Sequence, residues 1–194
     1  MKKIDRNELY SLERYAQLRK EFRARVMAHK RDRRLAIGAN VTLCFEDRLT
    51  IQYQIQEMLR VERIFEAEGI EQELAAYNPL IPDGRNWKAT MMIEYDDPEE
   101  RASRLAGLIG VENSVWMRID GMEDVQPIAD EDLDRVTDEK TSAVHFLRFE
   151  LTDEMAAALK AGASLAAGID HQAYRHSVDP VAASVRESLI GDLD

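Results

Sequence analysis

Glu62 is a carboxylate whose position suggests either proton or metal chemistry or an internal ion pair. In "TIQYQIQEMLRVER" (residues 50–63) it projects near the centre of the apolar helical face that Ile51 and Ile55 define. An unpaired carboxylate on such a face is costly, so it needs a cationic partner or stays protonated. Arg19 occupies the equivalent place on the preceding helix. The sequence therefore predicts that Arg19 and Glu62 form a charge-assisted pair between two packed helices.

Two interpretations of Glu62 stay open: a metal-binding or proton-handling group, and a structural ion pair that fixes helix register. Carboxylate-bridged di-iron sites in helical bundles use Glu-x-x-His pairs. Four glutamates of the helical half lie in suitable helices, but none of them has a histidine three residues further along the chain. They are Glu57, Glu62, Glu66 and Glu71. Most of these acids are therefore predicted to form a solvated face, with Glu57 kept as a ligand candidate.

A second set of ligand candidates lies in "DHQAYRH" (170–176), namely Asp170, His171 and Tyr174. His145 is predicted to lie on a strand parallel to that of His171 and at the opposite end of the sheet, so the two histidines are not expected to share a metal. Cys44 is the single cysteine, which excludes an internal disulfide and a thiolate zinc cluster. No nucleophile–base spacing or phosphate loop is present, so the sequence predicts neither a catalytic residue nor a cofactor, and leaves a metal site undefined.

Charge is distributed unevenly along the chain. The net charge is −11, but residues 1–35 hold 12 Lys/Arg against 5 Asp/Glu, a net charge of +7, and the remainder holds 14 against 32, a net charge of −18. An acidic body repels phosphates and argues against nucleic-acid binding. The basic segment is expected to dock on an acidic surface, either of this chain or of a partner. Arg23 and Arg25 are its candidate partner-binding residues.

The N-terminal part of the chain is predicted to be mainly helical, with one short strand, and to span residues 1–86. Gly- and Pro-free runs of helix-forming residues and the capping residues Asp5, Glu8 and Asp47 support this prediction. The predicted elements are a helix from the Asp5–Glu8 capping pair to about Arg34, a strand at 40–46, a helix at 49–68 and a short helix that Asn78-Pro79 ends.

The second part, residues 87–179, shows strand and helix patterns in the order β-α-β-β-α-β. This order predicts a ferredoxin-like unit, so the fold class is α+β with long N-terminal helices packed on a ferredoxin-like sheet. An acidic connection at 123–140 is predicted to be exposed loop, and residues 180–194 are predicted to form a C-terminal helix on one compact unit. No apolar stretch reaches the ~20 residues that a bilayer requires, and the start lacks a signal-like apolar run, which predicts a cytoplasmic protein.

Three stretches carry a family resemblance: "FEDRLTIQYQIQEMLRVERI", "ELAAYNPLIP" and "AGIDHQAY". Together they resemble an uncharacterised bacterial family, the domain-of-unknown-function family 3501, over nearly the whole chain. Members of that family tend to accompany rubrerythrin-like proteins and cysteine-rich iron–sulfur oxidoreductases. The resemblance implies a role beside redox or peroxide-defence machinery and supplies no catalytic residues.

The leading hypothesis is a non-catalytic cytoplasmic accessory protein that binds a redox or iron–sulfur partner. It would use the basic helix and the surface around Tyr77, Asn78 and Pro79. The alternative is a small metal-binding protein or enzyme with a carboxylate/histidine site between the two halves. A third hypothesis is a self-associating protein, because a long amphipathic helix can form a homodimer.

Overall fold

The computed structural model describes residues 1–131 and 140–194 and has an α+β fold. Its described helices are α1 (Leu12–Arg31), α2 (Arg48–Glu62), α3 (Ala67–Tyr77), α4 (Pro98–Gly107), α5 (Asp153–Lys160) and α6 (Ala183–Ile190). Its described strands are β1 (Arg34–Ile37), β2 (Val41–Glu46), β3 (Asn86–Ile93), β4 (Val115–Ile119), β5 (Ile128–Ala129), β6 (Val144–Glu150), β7 (Leu165–His171) and β8 (Tyr174–Val178). In these residues no helix combines the length and the apolar character that crossing a membrane requires.

The strands form two antiparallel sheets whose apolar faces contribute to one core. The five-stranded sheet has the order β1-β2-β3-β6-β5, and the three-stranded sheet has the order β4-β7-β8. Side chains alternate between the two faces of a strand, so every second residue of β2, β3 and β4 is buried. Trp87, Phe45 and Met117 are among the residues of both sheets in this core.

The ferredoxin-like arrangement is not confirmed. Helix α4 joins β3 to β4, and α5 joins β6 to β7, but each pair of strands lies in two different sheets. Every strand pairing in the described residues is antiparallel. The alternation of apolar residues predicts that a strand is present, but it does not predict which strand pairs with it. The sequence also gives no prediction of β1 and β8, which are the hairpin partners of β2 and β7.

The N-terminal helices begin and end at other residues than predicted. The Asp5–Glu8 capping box is present but caps a separate 3-10 turn, and α1 begins after Ser11, whose hydroxyl accepts from the Arg14 amide at 3.3 Å. The helix predicted at 49–68 is two helices, because Arg63 adopts a left-handed conformation (φ 57°) that ends α2. The N-cap role of Asp47 is confirmed by its 2.8 Å hydrogen bond from the Thr50 amide.

The predicted boundaries at residues 86 and 179 stay a prediction. Strands β1 and β2 from the first predicted region and β3 and β6 from the second share one sheet. The C-terminal helix α6 packs into the main core, and the Trp87 indole donates to the Leu189 carbonyl at 2.9 Å. The acidic connection forms the short strand β5, and residues 132–139 of it lie outside the described residues.

Candidate functional site

Helices α1 and α2 meet at a half-buried carboxylate, that of Glu57. Its oxygens accept hydrogen bonds from the Tyr15 hydroxyl at 2.6 Å and from Nε and Nη2 of Arg19, both at 2.8 Å. A further hydrogen bond from Arg60 measures 3.2 Å. The Arg19 hydrogen bonds, opposed by burial, lower the pKa of Glu57 to about 2. Glu57 is therefore a fully ionised structural carboxylate at neutral pH.

The predicted Arg19–Glu62 pair is wrong, because Arg19 binds Glu57 instead. Glu62 is the last residue of α2, and its side chain is exposed. Five residues further along a helix correspond to a rotation of about 140°, so Glu62 points away from the face that carries Glu57. Sequence periodicity gave the correct pair of helices but placed the carboxylate on the wrong face.

Glu57 is also a poor metal ligand, because binding a metal would require loss of its arginine and tyrosine hydrogen bonds. Within residues 1–131 and 140–194, no three His, Cys, Asp or Glu side chains are grouped so that they could hold a metal ion. The carboxylate/histidine site that the sequence suggested between the two halves does not form from Glu57 and the histidines that the structure describes.

The three candidates at 170–174 make separate contacts. Asp170 is exposed and pairs with Arg175 at 2.5 Å. His171 accepts the Ala173 amide at Nδ1, so Nε2 carries the proton that it donates to the Ile109 carbonyl at 3.1 Å. The Tyr174 hydroxyl donates to the Ile37 carbonyl at 2.7 Å and accepts from the Asn40 amide at 3.0 Å. The contacts with Ile109, Ile37 and Asn40 tie the β7–β8 hairpin to its surroundings, and the three side chains do not converge on one point.

A cavity of about 550 Å³ lies between α3 with its following turn and the outer face of the five-stranded sheet. We call it the α3 groove. Its lining residues are Glu46, Ala75, Ala76, Tyr77, Pro79, Leu80, Lys88, Ala89, Glu131, Phe146, Leu147 and Arg148. Tyr77 and Pro79, predicted to bind a partner, therefore line a cavity.

Asn78, predicted as a partner-binding residue together with them, has an internal role. Its carboxamide oxygen accepts from the Ile4 amide at 2.8 Å, and its nitrogen donates to the Ile4 carbonyl at 3.0 Å. Both polar atoms of the side chain thus bind the N-terminal segment to the turn after α3. Asn78 is absent from the residues that line the groove.

The charged groups of the α3 groove differ in how well they are paired. Arg148 binds Glu131 at 2.6 and 2.7 Å and also contacts Glu150, while Glu46 accepts from Thr90 at 2.9 Å. The Lys88 ammonium contacts the Pro79 carbonyl and, in the described part of the chain, forms no salt bridge. Burial lowers the pKa of Lys88. Lys88 is the groove cation that lacks a carboxylate partner among these residues.

The basic segment uses its cations in two ways. Arg33 is only 2% exposed and binds Asp192 at 2.5 Å, so part of the segment docks on acids of this chain, as one of the two alternatives predicted. Helix α1 has five exposed cations, which make no salt bridge in residues 1–131 and 140–194. They are Arg14, Lys20, Arg23, Arg25 and Arg31. The guanidinium of Arg25 lies 4.9 Å from the Phe22 ring centroid.

Exposed apolar side chains occur on the same helical layer. Phe65 is 71% exposed in the loop after α2, and Val61 near the end of α2 is 61% exposed. A cavity of about 320 Å³ beside Phe65 is lined by Leu12 of α1 and Leu59 of α2, among others. Large exposed apolar residues next to arginines are typical of protein–protein contact surfaces.

The sequence also gave no indication of a buried hydroxyl–imidazole–carboxylate chain. Nδ1 of His145 lies 2.6 Å from Asp130 Oδ2, and Nε2 lies 2.9 Å from the Thr141 hydroxyl. The order matches that of a nucleophile, a base and an orienting carboxylate. Thr141 is only 1% exposed, however, and Nε2 also lies 3.0 Å from the Ser142 carbonyl. We interpret this chain as a structural connection between β6 and its flanking segments.

Comparison with known proteins places the chain in a family without assigning a reaction. No curated protein matches the chain. A solved structure with 52% sequence identity and a TM-score of 0.94 covers 100% of both chains, and it is the crystal structure of a novel protein of unknown function from Burkholderia pseudomallei K96243. A family model matches residues 3–193 and is described as "Protein of unknown function (DUF3501)". The chain therefore belongs to this family.

Proposed function

We propose that this protein is a non-catalytic cytoplasmic accessory protein that binds an acidic surface of a partner protein through α1. The observation that carries the proposal is the set of exposed α1 cations that form no salt bridge in the described residues. Arg19 and Arg33 of the same basic segment are neutralised inside the chain. The exposed cations remain available to an external acidic group.

The exposed cations and the apolar residues supply different parts of the binding energy. Complementary charge steers encounter and selects the partner, whereas buried aromatic and aliphatic anchors slow its dissociation. Phe65 lines a cavity together with Leu12 at the start of α1, so an apolar anchor lies at one end of the helix that carries the exposed cations. A partner with acidic side chains around an apolar depression fits this combination.

The expected partner is an iron–sulfur oxidoreductase or a rubrerythrin-like protein, on the basis of the family resemblance. We propose no cofactor for this chain itself. The occupied hydrogen bonds of Glu57 support a structural role for this carboxylate, which the sequence left as a ligand candidate. The partner would thus supply the redox chemistry.

The test is direct titration of purified protein with each purified candidate partner by calorimetry at low and high salt. We expect the double variant R23E/R25E to weaken binding at least about tenfold, because each reversal opposes an acidic surface. The matched control, R85E/R175E, makes the same charge change in exposed pairs elsewhere, which contribute little to stability. Equal loss in both variants, or binding independent of salt, would overturn the proposal.

Self-association is a separate proposal, and the positive charge of α1 limits which surface a homodimer could use. A symmetric dimer through α1 would bring like charges together. We therefore expect any homodimer to use another surface, and light scattering of the wild type and R23E/R25E should give the same mass. A dimer that R23E/R25E alone dissociates would contradict this expectation.

A further inference from the structure

We propose that the α3 groove binds a small-molecule carboxylate that carries an apolar group, with its carboxylate paired to Lys88. This site is separate from the α1 surface and does not depend on the proposed partner. Its ligand class follows from the size of the cavity, the character of its walls and the Lys88 cation, which forms no salt bridge in the described residues.

The size and the walls of the groove fit a small molecule. Its volume of about 550 Å³ lies within the range of about 300–1,000 Å³ that small-molecule sites occupy. Leu80 and Phe146 provide apolar surface on opposite sides, and the small side chains of Ala75 and Ala76 leave the space beside α3 open. An aliphatic or aromatic group buried here would be removed from water, which favours binding.

Among the charged groups of the groove, the Lys88 cation favours a negative head group. Arg148 is neutralised by Glu131 and Glu150, and Glu46 accepts hydrogen bonds from Thr90 and Thr50. Lys88 is half-buried, and its ammonium contacts a neutral carbonyl, that of Pro79. A ligand carboxylate would give this cation a charge-assisted hydrogen bond.

The ionisation of Lys88 gives the site an expected pH dependence. Burial and the neighbouring Arg148 lower the pKa of Lys88, while Asp83, Glu131 and Glu150 act in the opposite direction. Deprotonation removes the charge that pairs with the ligand. Carboxylate binding should therefore weaken as the pH rises through the pKa of Lys88, whereas binding of a neutral analogue should stay constant.

The experiment is calorimetric titration of the full chain with octanoate and, in parallel, with octanol. We expect the variant K88M to weaken octanoate binding at least about tenfold while octanol binds both proteins equally. Methionine keeps an unbranched apolar stem at this position, so packing in the groove is retained. The matched control is K3M, which removes an exposed lysine outside the groove and should bind octanoate like the wild type.

A second variant locates the ligand if K88M fails to fold. Ala76 is exposed on α3, so A76W should leave the fold intact while its indole fills the groove and abolishes binding of both probes. The absence of octanoate binding to the wild type would overturn the proposal. Equal octanoate affinity in wild type and K88M, or unchanged binding to A76W, would overturn it as well.

Discussion

Arg33 and Asp192 form a bidentate ion pair that joins the end of α1 to the C-terminal residues after α6. The Nη2–Oδ2 distance is 2.5 Å and the Nη1–Oδ1 distance is 3.2 Å, and both side chains are buried. The guanidinium also donates to the carbonyls of Phe45 and Glu46, at 3.1 and 3.0 Å. One arginine thus holds α1, β2 and the C-terminus together.

Removal of the acidic partner should destabilise the protein strongly. In D192A the buried Arg33 charge loses its bidentate carboxylate, which we expect to lower the free energy of unfolding by about 3 kcal/mol. Urea denaturation measures the change. The control D170A removes an exposed carboxylate that pairs with Arg175, and there we expect a loss below about 1 kcal/mol. Similar values for the two variants would show that the buried pair has no special role.

Glu57 should make the stability of the protein depend on pH. Its pKa is about 2 in the folded protein and about 4.3 when unfolded, so the unfolded state takes up the proton first as the pH falls. The stabilisation is therefore complete above about pH 5 and is lost as the pH falls towards about 2. We expect the difference in unfolding free energy between wild type and E57Q to shrink over this interval, as measured by urea denaturation.

Glu62 provides the control for that measurement. Its side chain is exposed at the end of α2, so E62Q should change the free energy of unfolding by less than about 0.5 kcal/mol at every pH. If E57Q and E62Q gave the same profile, the assignment of the helix-pairing carboxylate would be wrong. A pH-independent difference for E57Q would equally contradict the lowered pKa.

Local signals explain why the helices could be predicted and why their partners could not. Asp97 and Thr152 accept amide hydrogen bonds at 2.7 and 3.2 Å at the starts of α4 and α5, and such caps are visible in a sequence. Strand β8 has mostly exposed side chains, so it lacks the apolar alternation that reveals a strand. Which strands pair depends on contacts between distant residues, which periodicity does not encode.

The candidate sites, like the strand pairings, could be predicted only where the signal is local in the sequence. The basic segment and the Tyr77–Pro79 stretch were visible as local patterns; exposed arginines of the segment lie on α1, and Tyr77 and Pro79 line the α3 groove. Lys88 gave no signal, because an alternating strand normally directs such a lysine to solvent. Its partial burial arises from α3 and the turn at Pro79, which approach it from elsewhere in the chain.

Cys44 should react slowly with thiol reagents. Burial raises the pKa of its thiol, and the nearby Arg34 opposes this shift. Because the thiolate is the reactive form, we expect the rate of modification by Ellman's reagent to keep increasing above pH values of about 8.5. The urea-unfolded chain is the control and should react faster at neutral pH. Equal rates in the folded and unfolded chain would contradict a half-buried, protonated thiol.

Gly168 should be the position in the three-stranded sheet that tolerates a side chain least. A Cβ there would lie 2.3 Å from Cζ2 of Trp116 and 2.9 Å from the His176 carbonyl oxygen, so the indole would have to move. Trp116 also contacts Arg118, whose guanidinium lies 4.6 Å from the ring centroid. We therefore expect G168A to cost about 1–3 kcal/mol in unfolding free energy and to change the tryptophan fluorescence.

The control is G107A in α4, where an added Cβ would meet nothing within 4 Å. This variant should leave the unfolding free energy unchanged or raise it by up to about 1 kcal/mol, because alanine favours helix. A G168A protein as stable as the wild type would show that the indole does not pack against this backbone.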